Sequence, residues 1–388
     1  MSTKELKIVA DAAIPFAHDA FSVLGTVLRI PGRDIDAAAV RDADALIVRT
    51  VTKVDEALLA GSRVRFVGTA TIGFDHVDVD YLTAAGIGFA TAAGCNATSV
   101  AEYVTTALLQ LAVWRDWRLS EKTLGVIGVG NCGSRVAARA EALGVTVLQN
   151  DPPLRRQTGD ARFRPIDELL ERADLLTYHV PLNRGGIDNT FHVINAETLG
   201  RMREGAAVLN TCRGPVHETA ALKDALRAGR IAAAVVDVWE DEPNIDLDLL
   251  GLVRIATPHV AGYSRDGKVG GTTMMFQALR RHFGSEAVWD PQAVIGPPPV
   301  PELTLTAGGR RDEAVLAEVT SAVYDILADD AGLRRIADLP ADQRGPCFDR
   351  LRSEYAVRRE FRFTTLDCPD ATPALAAKLT ALGFPIRR

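Results

Sequence analysis

The sequence has no apolar run long enough to cross a membrane, no internal repeat and no low-complexity segment. A membrane helix needs about 18 or more consecutive apolar residues, whereas the longest candidates, such as Ile231–Val236, end at a charged residue. Residues Met1–Ala10 alternate charged with apolar side chains, which is not the pattern of a signal peptide. We therefore expect a cytoplasmic protein.

Cysteine is scarce, with five residues in a chain of 388. The number is odd and the spacing is not paired, which argues against a disulfide framework and against a zinc site. No metal is expected, and each thiol is interpreted as structural. The cysteines are Cys95, Cys132, Cys212, Cys347 and Cys368.

An excess of basic charge is also missing, since 44 Lys and Arg residues face 50 Asp and Glu residues, for a net charge of −6. This balance disfavours general attraction to nucleic acid or to anionic membranes, so the expected partner is a small molecule. The hydrophobic content of 47% is typical of a folded globular protein. The length allows two or three domains with a catalytic cleft between them.

The N-terminal part alternates short β-branched runs with amphipathic stretches, which predicts a parallel α/β layout. From Ser99 onward apolar residues recur with helical periodicity, and Thr98 or Ser99 is predicted to cap this helix. The helix is expected to join two domains. The predicted strands before it are Leu6–Ala10, Val27–Ile30, Ala45–Arg49, Val64–Thr69 and Gly86–Ala90.

A second series of strands and helices predicts a complete dinucleotide-binding unit. A helix follows at Gly267–Phe283, and the proline-dense segment Pro291–Pro301 predicts a linker. The remaining tail is amphipathic at Glu313–Leu327 and strand-like at Glu360–Thr365, and we assign it to assembly or to substrate enclosure. The strands of the second series are predicted at Thr123–Gly128, Val145–Gln149, Leu175–Val180, Ala207–Asn210, Ile231–Val236 and Arg254–Thr257.

The segment TLGVIGVGNCG contains a G-x-G-x-x-G pattern between a strand and a predicted helix at Ser134–Leu143. The first glycine allows a tight turn, the second lets the backbone approach a pyrophosphate, and the third permits close helix–strand packing. The following helix N-terminus offers N–H groups to an anion. A plain glycine-rich turn is the alternative. The residues of the predicted phosphate loop are Gly128, Gly130, Asn131, Cys132 and Gly133.

Asp151 follows the next predicted strand, Val145–Gln149. A carboxylate at this position accepts hydrogen bonds from ribose hydroxyls and repels a 2′-phosphate, so NAD is favoured over NADP. The alternative is a loop-capping carboxylate, which Pro152 and Pro153 would favour.

Three polar residues have the chemistry that oxidation of a hydroxy acid needs. Arg213 in LNTCRGPV offers a forked guanidinium for a carboxylate, His259 in ATPHVAGY supplies the side-chain type best suited to acid–base work at neutral pH, and Glu242 in DVWEDEP can tune that histidine. Each follows a predicted strand, so all three should gather at the carboxyl edge of the sheet. Singly they are equally consistent with a surface guanidinium, a core histidine and a solvated acid, but together they predict one site.

The motifs NTCRG, DVWEDEP and PHVAGY resemble the signatures of the D-isomer-specific 2-hydroxyacid dehydrogenase family. The resemblance implies that Arg213 binds substrate, that Glu242 pairs with the histidine, and that His259 donates or accepts the proton. It also implies an α/β fold with two doubly wound parallel-sheet (Rossmann-like) domains. These are a substrate-binding domain at 1–98, completed by about 265–290, and an NAD-binding domain at 99–264.

Further segments resemble one branch of that family, which acts on a phosphorylated four-carbon hydroxy acid. The match continues into the tail and implies a smaller C-terminal α+β dimerisation domain at 291–388 and a homodimer. The matching segments are VRTVTK (Val48–Lys53), FVGTATIGFDHVD (Phe66–Asp78), GCNATSVAEY (Gly94–Tyr103) and HVAGYSRDGKVGGTT (His259–Thr273).

By motif, the resemblance implies substrate contacts from Thr50, Thr71 and Tyr263. Thr50 stands where serine is expected, which keeps the hydroxyl, and Val180 stands where threonine is common, which leaves only a backbone contact. The turn Thr71–Ile72–Gly73 fits a loop whose N–H groups hold a carboxylate. The implied NAD contacts outside the glycine loop are Asp151, Val180, Thr211, Cys212, Arg213, Asp237 and Gly262.

The phosphate ligands stay open. Candidates are Arg49, Lys53, Arg265 and Lys268, although a solvated face is the favoured interpretation of each. Arg350, Arg352 or Arg358 of the tail could also reach the site across a dimer. Another family member, such as a phosphoglycerate dehydrogenase or a hydroxypyruvate reductase, is the nearest alternative function, and the tail argues against it. A non-catalytic NAD sensor and an S-adenosylmethionine enzyme are further alternatives, against which the Arg/Glu/His set argues.

Overall fold

The computed structural model describes residues 5–71 and 73–387, which form two compact units. The first unit contains the residues up to Asn96 together with Arg265–Pro297, and the second contains Ala97–Ser264 together with the residues from Pro298 onward. The C-terminal segment is thus grouped with the second unit. Its predicted status as a separate domain at 291–388 stays a prediction.

Strands and helices alternate along both units. The strands are β1 (Leu6–Asp11), β2 (Gly25–Ile30), β3 (Ala45–Val48), β4 (Phe66–Thr69), β5 (Gly88–Thr91), β6 (Thr123–Ile127), β7 (Thr146–Asn150), β8 (Leu175–Tyr178), β9 (Ala206–Asn210), β10 (Ile231–Val236), β11 (Ile255–Ala256), β12 (Glu302–Thr304) and β13 (Thr365–Asp367). The helices are α1 (Ala17–Phe21), α2 (Ala37–Val40), α3 (Glu56–Leu59), α4 (Val79–Ala84), α5 (Ala97–Arg115), α6 (Asn131–Ala142), α7 (Pro152–Thr158), α8 (Ile166–Arg172), α9 (Ala196–Arg201), α10 (Thr219–Arg227), α11 (Leu247–Leu252), α12 (Arg265–Phe283), α13 (Gln292–Ile295), α14 (Asp312–Val323), α15 (Ile326–Arg334), α16 (Ala341–Ser353) and α17 (Pro373–Ala381).

The first unit is built on a parallel sheet with the strand order β2-β1-β3-β4-β5. Its strands are apolar at consecutive positions because both faces are covered. In β3, Ala45 and Ile47 join one buried cluster, and Leu46 and Val48 join the cluster on the other face. The predicted parallel α/β layout of this unit is confirmed.

The second unit contains a parallel sheet with the strand order β11-β10-β9-β8-β6-β7. The connections that follow β6 and β8 lead to opposite sides, because β7 lies on one side of β6 and β8 on the other. Such a switch point opens a crevice at the carboxyl ends of the strands, where α/β sheets bind ligands. The predicted Rossmann-like unit is confirmed.

The C-terminal segment packs on α5 in the core of the second unit. Val104 and Leu108 of α5 share one buried cluster with Val315 and Val319 of α14 and with Phe361. In this segment β12 and β13 form a short parallel pair. None of the described helices is both long and apolar enough to span a membrane.

The predicted cap of α5 is wrong. The helix begins at Ala97, so neither Thr98 nor Ser99 is its cap. Ser99 is buried within the helix, where its hydroxyl forms a hydrogen bond with the hydroxyl of Ser264. The amphipathic segment Glu313–Leu327 contains most of α14 and the start of α15. The Asp325 carboxylate caps α15 by accepting hydrogen bonds from the N–H groups of Leu327 and Ala328.

The predicted strand at Glu360–Thr365 is also wrong. Phe361–Phe363 forms a single 3₁₀ turn, and strand β13 begins only at Thr365. The N–H of Phe361 donates to Oε1 of Glu102 at 3.0 Å, and its ring stacks on Phe384 with centroids 4.6 Å apart. The buried carboxylate of Glu102 therefore accepts the N–H of Phe361, which in a strand would donate to a neighbouring strand.

Candidate active site

The turn between β6 and α6 has the geometry that its glycines predict. Gly128 has a positive φ of 83°, and a Cβ on Gly133 would lie 1.9 Å from the carbonyl oxygen of Gly128. A Cβ on Gly130 would instead meet open space. Helix α6 begins at Asn131, earlier than the predicted Ser134, and no side chain caps it. An open position at an uncapped helix N-terminus fits the pyrophosphate of a dinucleotide.

Asp151 joins two loops at the end of β7. Its Oδ2 accepts a hydrogen bond from the N–H of Val129 at 2.8 Å, and its Oδ1 accepts one from the N–H of Leu154 at 3.0 Å, which caps α7. The residue is 9% exposed. The carboxylate therefore holds the glycine turn in position, while its contact with ribose hydroxyls stays a prediction.

Asn210, which the sequence motifs did not single out, organises the loop after β9. Its Oδ1 accepts hydrogen bonds from the N–H and the thiol of Cys212, both at 3.1 Å, and its Nδ2 donates to the carbonyl oxygen of Arg213 at 2.9 Å. Burial raises the pKa of the Cys212 thiol to about 11, so this thiol stays protonated. A buried asparagine at a strand end before an irregular loop is the signal that could have identified it.

Arg213 lies in this loop with its side chain exposed. A Cβ on Gly214 would lie 1.8 Å from the carbonyl oxygen of Trp239, so the loop after β9 lies directly against the loop after β10. Only glycine permits this approach. Thr211 precedes Cys212 in the chain, and its hydroxyl lies 3.5 Å from Nδ1 of His179. Val180, which follows His179 in the chain, is half-buried.

His259 and Glu242 form a hydrogen-bonded pair, with Nδ1 and Oε2 2.8 Å apart and side chains 31% and 21% exposed. Oε1 of Glu242 accepts from the N–H of Trp239 at 2.9 Å, so the carboxylate is held on both sides. Burial raises the pKa of Glu242, but the hydrogen bond with His259 and its charge outweigh this effect and lower the pKa. The ionised carboxylate therefore directs Nδ1–H of the imidazole toward itself and leaves Nε2 for a substrate.

Asp237 shapes the loop that carries His259. Its Oδ1 accepts hydrogen bonds from the hydroxyl of Thr257 at 2.6 Å and from the N–H of Val260 at 2.8 Å, and its Oδ2 accepts one from the N–H of Ala261 at 3.0 Å. The N–H of His259 donates to the Asp237 carbonyl at 2.7 Å. Asp237 is 1% exposed, and its predicted contact with NAD, like that of Gly262 farther along the loop, stays a prediction.

A second layer of contacts supports the pair, and the motifs did not identify it. The indole N–H of Trp239 donates to the carbonyl oxygen of Thr257 at 2.9 Å, and the hydroxyl of Tyr103 lies 2.7 Å from the hydroxyl of Thr257. The loops that carry Glu242 and His259 are therefore tied to each other and to helix α5.

The predicted substrate contacts of the first unit follow β3 and β4. Thr50 is exposed just after β3. The Thr71 hydroxyl donates to the carbonyl oxygen of Gly73 at 3.0 Å and lies 2.6 Å from the hydroxyl of Thr69. Ile72, in the middle of the predicted turn, lies outside the described residues. The roles of Thr50 and Thr71 stay predictions.

The cationic candidates of the first unit differ in their surroundings. Lys53 pairs with Asp55 at 2.8 Å while its side chain is 82% exposed, which fits a solvated face. Arg265 lies over the ring of Phe16, 5.6 Å from its centroid. The remaining candidates, both exposed, are Arg49 and Lys268.

The tail arginines also differ from one another. Arg350 is exposed, and Arg358 is buried, where it donates to the carbonyl oxygen of Ser99 at 2.6 Å. Arg352 donates from Nη2 to the hydroxyl of Tyr263 at 3.1 Å. It reaches this predicted substrate contact within one chain, so no dimer is needed to bring it there.

The second unit therefore collects three of the predicted functional groups at neighbouring strand ends. Arg213 follows β9, Glu242 follows β10, and His259 follows β11. Among residues 5–71 and 73–387, no group of three or more His, Cys, Asp or Glu residues is placed to hold a metal ion. The arrangement suits proton transfer and carboxylate binding next to a dinucleotide turn.

Comparisons with known proteins identify the family of the chain. Residues 100–261 match the model of the D-isomer specific 2-hydroxyacid dehydrogenase NAD binding domain, and residues 294–383 match a domain of unknown function, DUF3410. The chain is 46% identical to an erythronate-4-phosphate dehydrogenase of Cronobacter sakazakii over 98% of both chains. It is 47% identical to one of Serratia proteamaculans over 98% of this chain and 99% of that protein.

Solved structures show the same fold. The D-lactate dehydrogenase of Aquifex aeolicus, in complex with NAD and lactic acid, has 26% identity and a TM-score of 0.54 over 72% of this chain and 95% of that chain. A D-isomer specific 2-hydroxyacid dehydrogenase of Lactobacillus delbrueckii ssp. bulgaricus has 21% identity and a TM-score of 0.59 over 72% and 98%. The chain belongs to the D-isomer specific 2-hydroxyacid dehydrogenase family and is an NAD-binding oxidoreductase.

Proposed function

We propose that the chain oxidises the C2 hydroxyl of 4-phospho-D-erythronate to give (R)-3-hydroxy-2-oxo-4-phosphooxybutanoate, a step in pyridoxal 5′-phosphate biosynthesis. The relatives that are 45–47% identical over nearly the whole length are named for this substrate. The observation that carries the proposal is the His259–Glu242 pair, which is 2.8 Å apart in the loops next to that of Arg213.

NAD supplies the hydride acceptor when it is bound. His259 takes the hydroxyl proton at Nε2, since Nδ1–H is engaged by Glu242. The imidazolium that forms is stabilised by the negative charge of Glu242, whose lowered pKa keeps it ionised. Arg213 orients the substrate carboxylate through its exposed guanidinium. The C–H bond and the O–H bond break, and the carbonyl forms from the electrons of the O–H bond.

Residue roles outside this set are proposed on motif similarity. Thr50, Thr71 and Tyr263 contact the substrate, and Asp151, Thr211 and the backbone of Val180 contact NAD. Cys212, Asp237 and Gly262 also lie around NAD, together with the loop of Gly128, Gly130, Asn131, Cys132 and Gly133. For the glycine loop the open position at Gly130 supports the assignment.

A substrate screen tests the proposal. The purified protein is given NAD with 4-phospho-D-erythronate, 3-phospho-D-glycerate or unphosphorylated 2-hydroxy acids, and turnover is followed by NADH absorbance. We expect kcat/KM to be at least about tenfold higher for 4-phospho-D-erythronate than for 3-phospho-D-glycerate, which is a difference of about 1.4 kcal/mol. A preference for 3-phospho-D-glycerate would assign another dehydrogenase activity, and NADH binding without turnover would indicate a sensor.

We also propose that the chain forms a homodimer in the cytoplasm, with residues 291–388 in the interface. The assignment rests on similarity of the tail to the relatives. Light scattering should give about twice the chain mass of 41.7 kDa. The measurement needs the full-length chain. Truncation before residue 291 would remove side chains from the buried core of the second unit.

A further inference from the structure

Arg352 brings a positive charge from the tail to the catalytic end of the second unit. It lies on α16, and its Nη2 donates to the hydroxyl of Tyr263 at 3.1 Å. The guanidinium carbon lies 5.7 Å from the centroid of the Tyr263 ring and 6.0 Å from that of Phe348. The same charge helps to lower the pKa of Glu242. The guanidinium therefore lies close enough to Glu242 for its charge to act on that carboxylate.

Among the residues that the structure describes, this guanidinium forms no salt bridge, although its charge and that of Glu242 attract each other over a longer distance. Its Nε is buried and has no hydrogen-bond partner there, and its one hydrogen bond goes to a neutral hydroxyl. By contrast, the mostly buried Arg139 forms a salt bridge with Glu102 at 3.4 Å, as is usual for a buried arginine. A partly buried charge without a partner is costly, so such a residue is typical of a place where a ligand supplies the opposite charge.

The ligand class follows from the other groups at the site. Arg213 already provides a fork for one anionic group, the carboxylate of a hydroxy acid. A second guanidinium beside Tyr263 and Glu242 calls for a second anionic group on the same substrate. A phosphate monoester suits a planar fork, because two parallel N–H groups can bind two of its oxygens.

We propose that Arg352 binds the terminal phosphate of the substrate, with Tyr263 holding the guanidinium in place. This inference rests on the proposed function, because it assigns the phosphate of the proposed substrate to one side chain. Arg352 is then the residue that distinguishes a phosphorylated hydroxy acid from an unphosphorylated one.

The test compares two substrates in the full-length chain. Arg352→Met removes the charge and keeps the bulk, Arg352→Lys keeps the charge and loses the fork, and Arg350→Met is the control, because Arg350 is an exposed arginine on the same helix. For Arg352→Met we expect kcat/KM for 4-phospho-D-erythronate to fall by about 30- to 1,000-fold, as for a truncated charge pair. We expect kcat/KM for D-erythronate and the KM for NAD to stay within about threefold. Arg352→Lys should lose less, and Arg350→Met should match the wild type.

Competition by inorganic phosphate provides a second measurement that does not depend on the identity of the hydroxy acid. In the wild type, inorganic phosphate should inhibit turnover competitively, and Arg352→Met should raise its inhibition constant at least about tenfold. An equal loss on both substrates would reduce Arg352 to a residue that positions Glu242, and unchanged phosphate inhibition in a variant with a wild-type melting temperature would overturn the proposal. A wild type that oxidises a different hydroxy acid would instead refute the proposed function, and the phosphate competition is then measured with that acid.

Discussion

Replacing Glu242 by glutamine should disable the general base, although the two side chains have nearly the same shape. Glu242 presents two acceptor oxygens, one to the N–H of Trp239 at 2.9 Å and one to Nδ1 of His259 at 2.8 Å. Glutamine has one acceptor oxygen and one NH₂ donor. Because the N–H of Trp239 is always a donor, it takes the oxygen, and the NH₂ group faces His259. The imidazole then carries its proton on Nε2, where the substrate proton must be accepted.

Two effects set the size of the loss. Unit charges about 4 Å apart near a protein surface interact by about 4 kcal/mol, and the partial exposure of both side chains reduces this to about 2 kcal/mol, which is about 30-fold in rate. The wrong tautomer adds to this loss, because the glutamine can turn its oxygen to His259 only by leaving the N–H of Trp239 unpaired, at about 1–3 kcal/mol. We therefore expect kcat to fall by about 10²- to 10⁴-fold.

The assay is steady-state oxidation of the hydroxy acid over a range of pH, with the affinity for NADH followed by fluorescence. Glu240→Gln is the matched control. Oε1 of Glu240 pairs with His192 at 2.7 Å and Oε2 accepts from the N–H of Thr219 at 2.8 Å, so it repeats the same arrangement outside the catalytic set. We expect this control to keep kcat within about threefold. A Glu242→Gln variant with wild-type kcat, or an equal loss in both variants, would refute the reasoning.

Three further predictions concern the cofactor loop and the core. Asp151→Ala should reduce the preference for NAD over NADP at least about tenfold. Because the variant loses the cap of α7, its free energy of unfolding should also fall by about 1–2 kcal/mol. Kinetics that stay strictly NAD-selective would show that Asp151 does not select the cofactor. Gly130→Ala should raise the KM for NAD with little change in melting temperature, whereas Gly133→Ala should lower the melting temperature, because its Cβ would lie 1.9 Å from a carbonyl oxygen; equal melting temperatures would contradict this. Burial raises the pKa of Glu102 from 4.5 to about 7, so the wild type loses stability as the pH rises through that range and the buried carboxylate ionises. Glutamine does not ionise, so between pH 4.5 and 8 the free energy of unfolding of Glu102→Gln, measured by denaturant titration, should rise by about 2–3 kcal/mol relative to that of the wild type. A difference that is independent of pH would refute the assignment.

The strand pattern and the strand-end motifs could be predicted because both depend on local sequence. In a parallel sheet covered on both faces, strands are short apolar runs, and residues that follow them reach the same edge whatever the intervening chain does. The sequence therefore predicts one site for Arg213, Glu242 and His259. The three glycines of the turn were equally local, since they form one G-x-G-x-x-G motif within six consecutive residues.

The contacts that could not be predicted join residues far apart in the chain. Phe361 takes a 3₁₀ turn because Glu102, 259 positions away, accepts its N–H. Arg352 lies 89 positions from Tyr263, and nothing in the tail sequence separates it from Arg350 or Arg358. The role of Asn210 is hard to predict for a different reason. Its partners lie within a few positions, but the contacts depend on the loop conformation that Asn210 itself stabilises.

Two carboxylates near His259, those of Asp237 and Glu242, differ in their environments, which indicates a structural role for the first and a chemical role for the second. Asp237 is buried, and its carboxylate accepts hydrogen bonds from Thr257, Val260 and Ala261 of the loop that carries His259. Burial raises the pKa of Asp237, and its carboxylate fixes the backbone of that loop. Glu242 is partly exposed, and its pKa is lowered chiefly by the His259 side chain against the effect of burial. A change at Asp237 should therefore alter the position of His259 and the stability of the loop, whereas a change at Glu242 should alter the proton affinity of His259 and leave the loop in place. Both residues belong to the motif DVWEDEP, in which Asp237 stabilises a loop and Glu242 acts on the catalytic histidine.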